Sequence, residues 1–446
     1  MGIVRKITKA KKSSVRAVVL RLFAVITAGY GAYAFVKRNV MDYLLLKIQF
    51  AFFDMSESLI RFILDYAAIM GLFAVVGYYV LASLRKLTSK TRVILMSKKS
   101  FYTDLVIYIF LGIALLVQTS CKSSDDSINY SNKESKSFFA MDTYITVTAY
   151  GEDTDNGLKA AEDEINALEK LWSVTDENSE IYAINHSGGK DVEVSSQTAE
   201  LLRFSLDMHE RTEGAFDITL YPVLKAWGFT TDKYRVPDDE EIAQLLKNTG
   251  VQNIILDDKM VRISDNMQID LGAVGKGYAG DLAAQRLKTK GINSALIDIG
   301  GNIQTVGLKP DGEKWTVGIR SPFGEGNFAT LEIEECAVVT SGGYERYFVN
   351  NGKTYWHILD PKTGKPADSG LASVTVIGSE GKLCDALSTS LFVMGLDKAE
   401  KLWKESNAFE MIIVTSDGDI YITEGIENDF VINKSLTDTK ASVIRR

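Results

Sequence analysis

The stretch Ile269–Gly301, IDLGAVGKGYAGDLAAQRLKTKGINSALIDIGG, decides the fold. Its pattern predicts a short apolar strand ending at Asp270, a glycine-rich turn, an amphipathic helix over Gly277–Lys290, and a second strand ending at Asp298. A glycine-rich turn at a helix N-terminus presents backbone N–H groups to an anion. The stretch therefore predicts a strand–helix–strand unit with an anion site in its turn.

The same turn contains GxGxxG at residues 275–280, with Asp298 about 20 residues further on, which imitates a dinucleotide-binding fingerprint. In a true fingerprint the first glycine directly follows the strand, and further β/α units extend a parallel sheet. Here the glycine-rich turn already begins at Gly272, and predicted β-hairpins follow the unit. A phosphate-binding P-loop is excluded because Lys276 is not followed by Ser or Thr. A nicotinamide-dependent oxidoreductase is accordingly disfavoured.

The remaining pattern places helices early and β-hairpins late, which is typical of an α+β fold and not of an alternating α/β series. Helical spacing is found over Asp155–Trp172, Ser196–Thr212, Leu383–Met394 and Lys398–Ser406. Strands are predicted over Met141–Tyr150, Asn253–Leu256, Met260–Ile263, Trp315–Arg320, Thr330–Ile333, Ala337–Thr340, Ser373–Gly378 and near Glu410–Thr415.

The charge of the chain is divided unevenly along its length. The net charge is −8, yet residues 1–100 contain 17 Lys and Arg against 4 Asp and Glu, so the rest of the chain is strongly acidic. Nucleic acid is therefore not expected as a partner, because phosphate binding needs clustered basic residues. Three cysteines without CxxC spacing and three histidines exclude a disulfide framework and a histidine-rich metal site.

Residues 1–95 predict a membrane segment. Apolar stretches at about Ala17–Val36 and Ala67–Leu84 are near the length of a spanning helix, and Met41–Tyr66 between them reads as an interfacial amphipathic helix. Basic clusters precede the first of these spans and the next apolar stretch, Leu105–Ser120. By the positive-inside rule both clusters are cytoplasmic, so the acidic body is expected to face outward.

Residues 96–121 predict a signal or anchor segment that ends in Cys121. Its basic start, apolar run and small residues before the cysteine resemble a bacterial lipoprotein signal peptide, with a plain membrane span as the alternative. If Cys121 is lipidated, residues 1–95 are an upstream extension or reflect a misassigned start. Residues 122–137, rich in Ser, Asp, Asn and Lys, predict a flexible stalk. The outward domain then occupies residues 138–446.

Three positions in this domain suggest chemistry. Asp385 and Thr389 are i and i+4 on a predicted helix, and a carboxylate beside a neutral oxygen suits Mg²⁺; the alternative is an ordinary first-turn aspartate. His357 ends an apolar strand before a proline turn, where it is either presented to a cleft or buried and satisfied. Asp217 lies among apolar residues and needs either a ligand or a structural hydrogen bond. A hydrolytic triad around Ser341 is improbable because no GxSxG surrounds it.

Taken together, residues 138–422 closely resemble the ApbE family of flavin transferases. The motifs that carry the resemblance occur in this order: MDT at 141–143, the segment Trp172–Asn185, GAFDIT at 214–219, IDLGAVGKGYA at 269–279, DIGGN at 298–302, TSG at 340–342, HILDPKTGKP at 357–366 and DALST at 385–389.

The resemblance implies an α+β, T-fold-like domain that binds FAD in a cleft. By motif position it implies FAD contacts from Met141, Ala215, Phe216, Asp217, Asp270, Lys276 and Ile358, with Thr175 where some relatives carry a tyrosine over the flavin. It implies that Mg²⁺ is held by the Ala273 carbonyl, Asp385 and Thr389, and that His357 acts as the base.

The implied reaction is Mg²⁺-dependent transfer of FMN from FAD to a Thr or Ser hydroxyl of an extracytoplasmic partner protein, with release of AMP. The implied acceptors are flavoprotein subunits of membrane electron-transfer complexes. The implied location is the bacterial inner membrane, with the catalytic domain facing the periplasm or the cell exterior. Two alternatives remain open at this point: an FAD pyrophosphatase that gives FMN and AMP, and a non-catalytic flavin-binding module.

Overall fold

The computed structural model describes residues 133–231, 233–434 and 439–446, all of which belong to one unit, Ser127–Arg446. The predicted membrane segment over residues 1–95 and the signal or anchor segment over residues 96–121 lie outside the described residues. Within the described ranges no helix is both long enough and apolar enough to cross a membrane.

The architecture is built on an antiparallel sheet of nine described strands, in the order β1-β2-β6-β7-β10-β15-β16-β17-β19, in which only the β17–β19 pair is parallel. Its strands are β1 (Lys133–Ala140), β2 (Thr143–Tyr150), β6 (Ser294–Ile299), β7 (Asn302–Val306), β10 (Ala337–Gly342), β15 (Leu371–Gly378), β16 (Phe409–Thr415), β17 (Ile420–Thr423) and β19 (Ala441–Ile444).

Smaller sheets and hairpins surround the large one. One has the order β18-β9-β8, another has the order β3-β5-β4, and β11–β12 and β13–β14 are separate hairpins. Their strands are β3 (Val192–Glu193), β4 (Ile254–Asp257), β5 (Met260–Ile263), β8 (Trp315–Arg320), β9 (Asn327–Ile333), β11 (Tyr347–Asn350), β12 (Lys353–Trp356), β13 (Leu359–Asp360), β14 (Lys365–Pro366) and β18 (Phe430–Ile432).

Eight α-helices are found in the described part of the chain. They are α1 (Thr154–Trp172), α2 (Glu180–Asn185), α3 (Ser196–Arg211), α4 (Tyr221–Trp227), α5 (Asp239–Leu246), α6 (Gly275–Thr289), α7 (Gly381–Met394) and α8 (Leu396–Lys404). Short 3-10 turns occur at Val251–Asn253 and Glu424–Ile426.

The large sheet is covered on both faces, and alternate side chains of β16 lie in two different hydrophobic cores. Met411 and Ile413 point into the main core, which also contains the apolar faces of α1, α6 and α7. Their neighbours Ile412 and Val414 point into a second core beneath the β18-β9-β8 sheet. Because strand side chains alternate between faces, a strand covered on both sides reads as a continuous apolar run, as β16 does over Met411–Val414.

The structure confirms the α+β class and the rejection of a dinucleotide-binding unit of the parallel β/α type. β6, the strand that follows α6, pairs antiparallel with β2 on one side and with β7 on the other. A parallel β/α series would require a crossover to a parallel neighbour.

The prediction of a strand that ends at Asp270 is wrong, because residues 264–274 form turns and irregular backbone. The backbone groups of Ile269 bond to the side chain of Asn185, at 2.7 and 2.9 Å, and the amide of Asp270 donates to the carbonyl of Ile218 at 2.8 Å. These remote partners satisfy the backbone without a ladder, so the unit is loop–helix–strand.

The prediction of a flexible stalk over residues 122–137 is also wrong for its last five residues, since Lys133–Ser137 belong to β1. This strand pairs with β2 along its whole length, and its polar side chains lie on an exposed edge of the sheet. Ser135 and Ser137 pair with Thr148 and Thr146 at 2.8 and 3.0 Å. An exposed edge strand carries polar residues, which explains why its composition imitates a linker.

Candidate active site

The site is organised by the meeting of two helix N-termini, those of α6 and α7. A Cβ on Gly277 would overlap the Gly381 carbonyl oxygen and would lie 2.7 Å from Asp385 Cβ, so only glycine permits this approach. The approach lets the Gly277 amide donate to Asp385 Oδ2 at 2.8 Å. Asp385 is thereby held in a buried position beside the glycine-rich turn, with 4% of its surface exposed.

A group of hydroxyls continues from Asp385 along α7. Thr389 lies one turn further on, and its hydroxyl is 3.1 Å from Ser341 Oγ. Ser341, at the end of β10, is also 2.8 Å from Ser388 Oγ. Ser341 therefore connects the sheet to α7 and orients the Thr389 hydroxyl, a role that the sequence did not indicate.

The donor set at this position fits a hard cation. Asp385 is a buried carboxylate that forms no ion pair with the residues the structure describes, and burial of an uncompensated carboxylate is costly. Those residues contain no cluster of three His, Cys, Asp or Glu side chains, so a cation needs neutral oxygens as well. The Asp385 carboxylate would supply the charge, and the Thr389 hydroxyl and, as the family resemblance implies, the Ala273 carbonyl would supply neutral oxygens; all three are ligands that Mg²⁺ accepts.

The amides of the glycine-rich turn are mostly engaged within the protein. Gly272 N donates to Asp270 Oδ1 at 2.6 Å, Gly275 N donates to the Leu271 carbonyl at 2.7 Å, and Gly277 N donates to Asp385. These three N–H groups are therefore not free for an anion. Positive charge at the turn comes instead from Lys276, whose Nζ lies 3.4 Å from the Gly272 carbonyl.

Asp270, Lys276, Arg346 and His357 form one electrostatic cluster. Burial raises the pKa of Asp270, whereas the hydrogen bond from Gly272 and the charges of Lys276 and Arg346 act in the opposite direction. The same two cations lower the pKa of His357. Three of the predicted site residues thus share one electrostatic environment, to which Arg346 also contributes.

The surroundings of His357 keep its imidazole neutral. Burial, opposed by its bond to the Arg346 carbonyl and reinforced by the charges of Arg346 and Lys276, lowers the pKa of His357 to about 4. Its Nδ1 lies 3.2 Å from the Arg346 carbonyl oxygen. Since a carbonyl only accepts, Nδ1 must donate its hydrogen, and the lone pair is then on Nε2.

Arg346 also connects this cluster to the turn between β1 and β2. Its guanidinium pairs with Asp142 Oδ2 at 2.7 Å. Met141 and Asp142 both adopt left-handed backbone, with φ of 52° and 58°, and the Met141 amide donates to Glu169 Oε1 at 2.9 Å. Sequence reasoning gave Arg346 no role, because its acidic partner is 204 residues away along the chain.

The loop at residues 214–219 is engaged internally. The Phe216 side chain is buried in the main core, and its carbonyl lies 2.8 Å from His209 Nδ1. Asp217 Oδ1 accepts from the amide and the hydroxyl of Thr219, at 2.8 and 2.6 Å. Ala215 and Asp217 are partly exposed, whereas Phe216 between them is buried. The loop reaches the turn through its Ile218 carbonyl.

Two predicted residues stand apart from the cluster in their contacts. Exposed Thr175 bonds through its hydroxyl to Ser173 Oγ at 3.2 Å, and none of its hydrogen bonds reaches another predicted site residue. Ile358 follows His357 in the chain but is 4% exposed, and its carbonyl accepts from the Ala367 amide at 2.9 Å.

Known proteins share both the sequence pattern and the fold. The family model described as "ApbE family" matches residues 141–413. A Klebsiella pneumoniae protein named FAD:protein FMN transferase is 34% identical over 265 residues, which cover 58% of this chain and 82% of that protein.

Solved structures agree with this assignment. The crystal structure of the ApbE protein from Thermotoga maritima has a TM-score of 0.64 and 34% identity, over 67% of this chain and 99% of that chain. The apo form of the Pseudomonas stutzeri flavinyl transferase ApbE has a TM-score of 0.59 and 30% identity, over 68% of this chain and 94% of that chain. The chain therefore belongs to the ApbE family of transferases.

Proposed function

We propose that this protein is an FAD:protein FMN transferase that moves FMN from FAD to a Thr or Ser hydroxyl of another protein and releases AMP. The observation that carries the proposal is that His357 is neutral and has its lone pair on Nε2, under the influence of the cations Lys276 and Arg346. The names of the curated relatives support the same activity.

The basic residues of the site and its oxygen ligands have different roles in the proposed reaction. Lys276 and Arg346 attract the FAD pyrophosphate and offset its negative charge as the reaction proceeds. Asp385, Thr389 and the Ala273 carbonyl would hold Mg²⁺, which when bound would draw electron density from the phosphate that is attacked.

His357 Nε2 takes the proton from the acceptor hydroxyl, and the hydroxyl oxygen forms a bond to the phosphorus nearest riboflavin. The bond from that phosphorus to the bridging oxygen breaks, and AMP leaves with this oxygen. The products are AMP and a phosphoester that joins FMN to the acceptor, so the atoms of FAD and of the acceptor are all accounted for.

The location and the acceptor form part of the proposal. The basic N-terminal hundred residues and the acidic remainder support a tethered protein whose catalytic domain faces outward. Outward-facing flavoprotein subunits of membrane electron-transfer complexes, reached at the bacterial inner membrane, would then be the acceptors. Lipid analysis of the membrane-extracted protein tests the tether, since a lipidated Cys121 would appear at the mature N-terminus.

An FAD pyrophosphatase is the principal alternative, because water in place of the hydroxyl would give free FMN and AMP from the same site. A non-catalytic flavin-binding module would need neither a neutral base nor a buried carboxylate. Free FMN formed at the same rate with and without the acceptor protein would favour the pyrophosphatase.

Two substitutions test the assigned roles. We expect His357→Ala and Asp385→Ala each to reduce FMN transfer by about 10²-fold or more, because each removes a group that acts on the reacting atoms. His186→Ala and Asp417→Ala are matched controls, since both residues are of the same types and His186 stacks on Tyr182, outside the cluster. In-gel flavin fluorescence of the acceptor measures the rate. Transfer at the wild-type rate by either site variant would contradict the proposal.

A further inference from the structure

Helices α6 and α7 begin with the same short pattern. Gly277–Asp281 reads GYAGD in the first turns of α6, and Gly381–Asp385 reads GKLCD in the first turns of α7. In each segment the aspartate follows the glycine by four residues, so the two lie on the same face of their helix. Asp385 is the proposed metal ligand, whereas Asp281 has no role in the site described above.

Each aspartate accepts hydrogen bonds from the start of the opposite helix. Asp385 Oδ2 accepts from the Gly277 amide of α6 at 2.8 Å. In return, Asp281 Oδ1 accepts from the Gly381 amide of α7 at 2.6 Å, and its Oδ2 accepts from the Lys382 amide at 3.0 Å. The contacts are therefore reciprocal: an α6 carboxylate binds the α7 N-terminus, and an α7 carboxylate binds the α6 N-terminus.

These bonds replace the caps that helices ordinarily supply for themselves. The first amides of a helix have no partner within the helix, and a side chain at the N-cap normally accepts from them. Val274 and Glu380 occupy the two N-cap positions, and neither forms a side-chain cap hydrogen bond within the described ranges. Each helix start thus depends on the carboxylate of the other helix, which is also favoured there by the helix dipole.

The first turns of α6 and α7 pack closely against each other. A Cβ on Gly381 would lie 2.5 Å from the Gly277 carbonyl oxygen and 3.0 Å from Asp281 Oδ1. A Cβ on Gly277 would meet the Gly381 carbonyl and Asp385 even more closely. With both glycines in direct contact, a displacement of one helix start must move the other.

We propose that Asp281 is a positioning residue that holds Asp385 in place by capping α7. The two glycines and two aspartates act as one unit, so loss of either carboxylate loosens both helix starts. The consequence for metal binding rests on the proposed function, whereas the mechanical coupling of the two helix starts does not.

Hydrogen exchange of the full chain, without metal or FAD, tests the coupling. The variants are Asp281→Asn and Asp385→Asn, and the readout is mass spectrometry of the peptides that contain the first turns of α6 and α7. We expect each variant to exchange faster in both peptides, by about tenfold, which corresponds to about 1.4 kcal/mol of lost protection. If each variant exposes only the opposite helix, the two caps are independent and the proposal is overturned.

Asp298→Asn is the matched control, because Asp298 also accepts a backbone bond, from the Gly301 amide at 2.8 Å, but outside α6 and α7. It should leave both peptides unchanged. Faster exchange throughout the chain in every variant would reveal general destabilisation and would also overturn the proposal.

Divalent-ion binding tests the consequence for the site. Calorimetric titration with Mg²⁺ should show about 10- to 100-fold weaker binding in Asp281→Asn, the usual effect of removing a group that orients a ligand. Excess Mg²⁺ should then restore FMN transfer to Asp281→Asn but not to Asp385→Asn. Unchanged Mg²⁺ affinity in Asp281→Asn would refute the positioning role. Should wild type transfer no FMN at all, the proposed function fails, while the exchange experiment still decides the coupling.

Discussion

Replacing Gly277 by Ala should disrupt the helix contact on which the site depends. The added Cβ would overlap the Gly381 carbonyl and lie 2.7 Å from Asp385 Cβ, both on relatively rigid groups. Overpacking of this kind costs about 1–3 kcal/mol, and weakening the charged hydrogen bond to Asp385 adds about 1.5–3 kcal/mol. The better helix propensity of Ala returns about 1 kcal/mol, so the expected net loss is about 1.5–5 kcal/mol.

Gly280→Ala is a close control, because Gly280 lies in the same helix one turn further on. Its added Cβ would lie 3.5 Å from Gln304 Cβ, which is an ordinary van der Waals contact. This variant should be neutral or gain up to about 1 kcal/mol. Urea unfolding of the full chain, followed by tryptophan fluorescence, measures both. Equal stabilities for the two variants would refute the close approach of α6 and α7 and the placement of Asp385 that follows from it.

Three further outcomes are expected. Because the pKa of His357 is lowered to about 4, protonation of this residue should cause no decline in kcat/KM as pH falls from 7 to 5. The folding stability that neutral His357 contributes should be lost only as pH falls from about 6.5 through 4. An acid limb of kcat/KM near pH 6.5 that disappears in His357→Gln would contradict this. Arg346→Gln should raise the pKa of His357, since it removes a nearby positive charge but keeps the backbone carbonyl, and an NMR titration of the imidazole that shows no change or a decrease would count against the cluster. Asp217→Ala should destabilise the protein by about 2–3 kcal/mol in urea unfolding, because two hydrogen bonds from Thr219 lose their acceptor, and Asp217→Asn should recover part of that loss. Wild-type stability of Asp217→Ala would show that the loop is held by other contacts and would contradict this prediction.

Local sequence patterns predicted those features that local forces determine. The placement of Asp385 and Thr389 one turn apart on a helix follows from helical spacing, and β5 and β8 were predicted with the bounds they have. The rejection of a parallel β/α dinucleotide-binding fold also rested on local sequence, namely on the positions of the glycines relative to the predicted strands.

Features that depend on remote partners could not be predicted in this way. Asp270 lies in a loop because its own amide bonds to Ile218 and its neighbour Ile269 bonds to Asn185, and neither partner is visible in the local pattern. Arg346 enters the site through Asp142, which lies 204 residues earlier in the chain. The family resemblance supplied the site residues as a set, but their hydrogen-bond partners became apparent only from the fold.

The most direct test of the central claim is the intact mass of an acceptor protein after incubation with this protein, FAD and Mg²⁺. The acceptor should be an outward-facing flavoprotein subunit of an electron-transfer complex. The account predicts a mass gain equal to one FMN less one water, located on a Thr or Ser, together with one equivalent of AMP. Consumption of FAD to FMN and AMP with no change in the mass of the acceptor would contradict it.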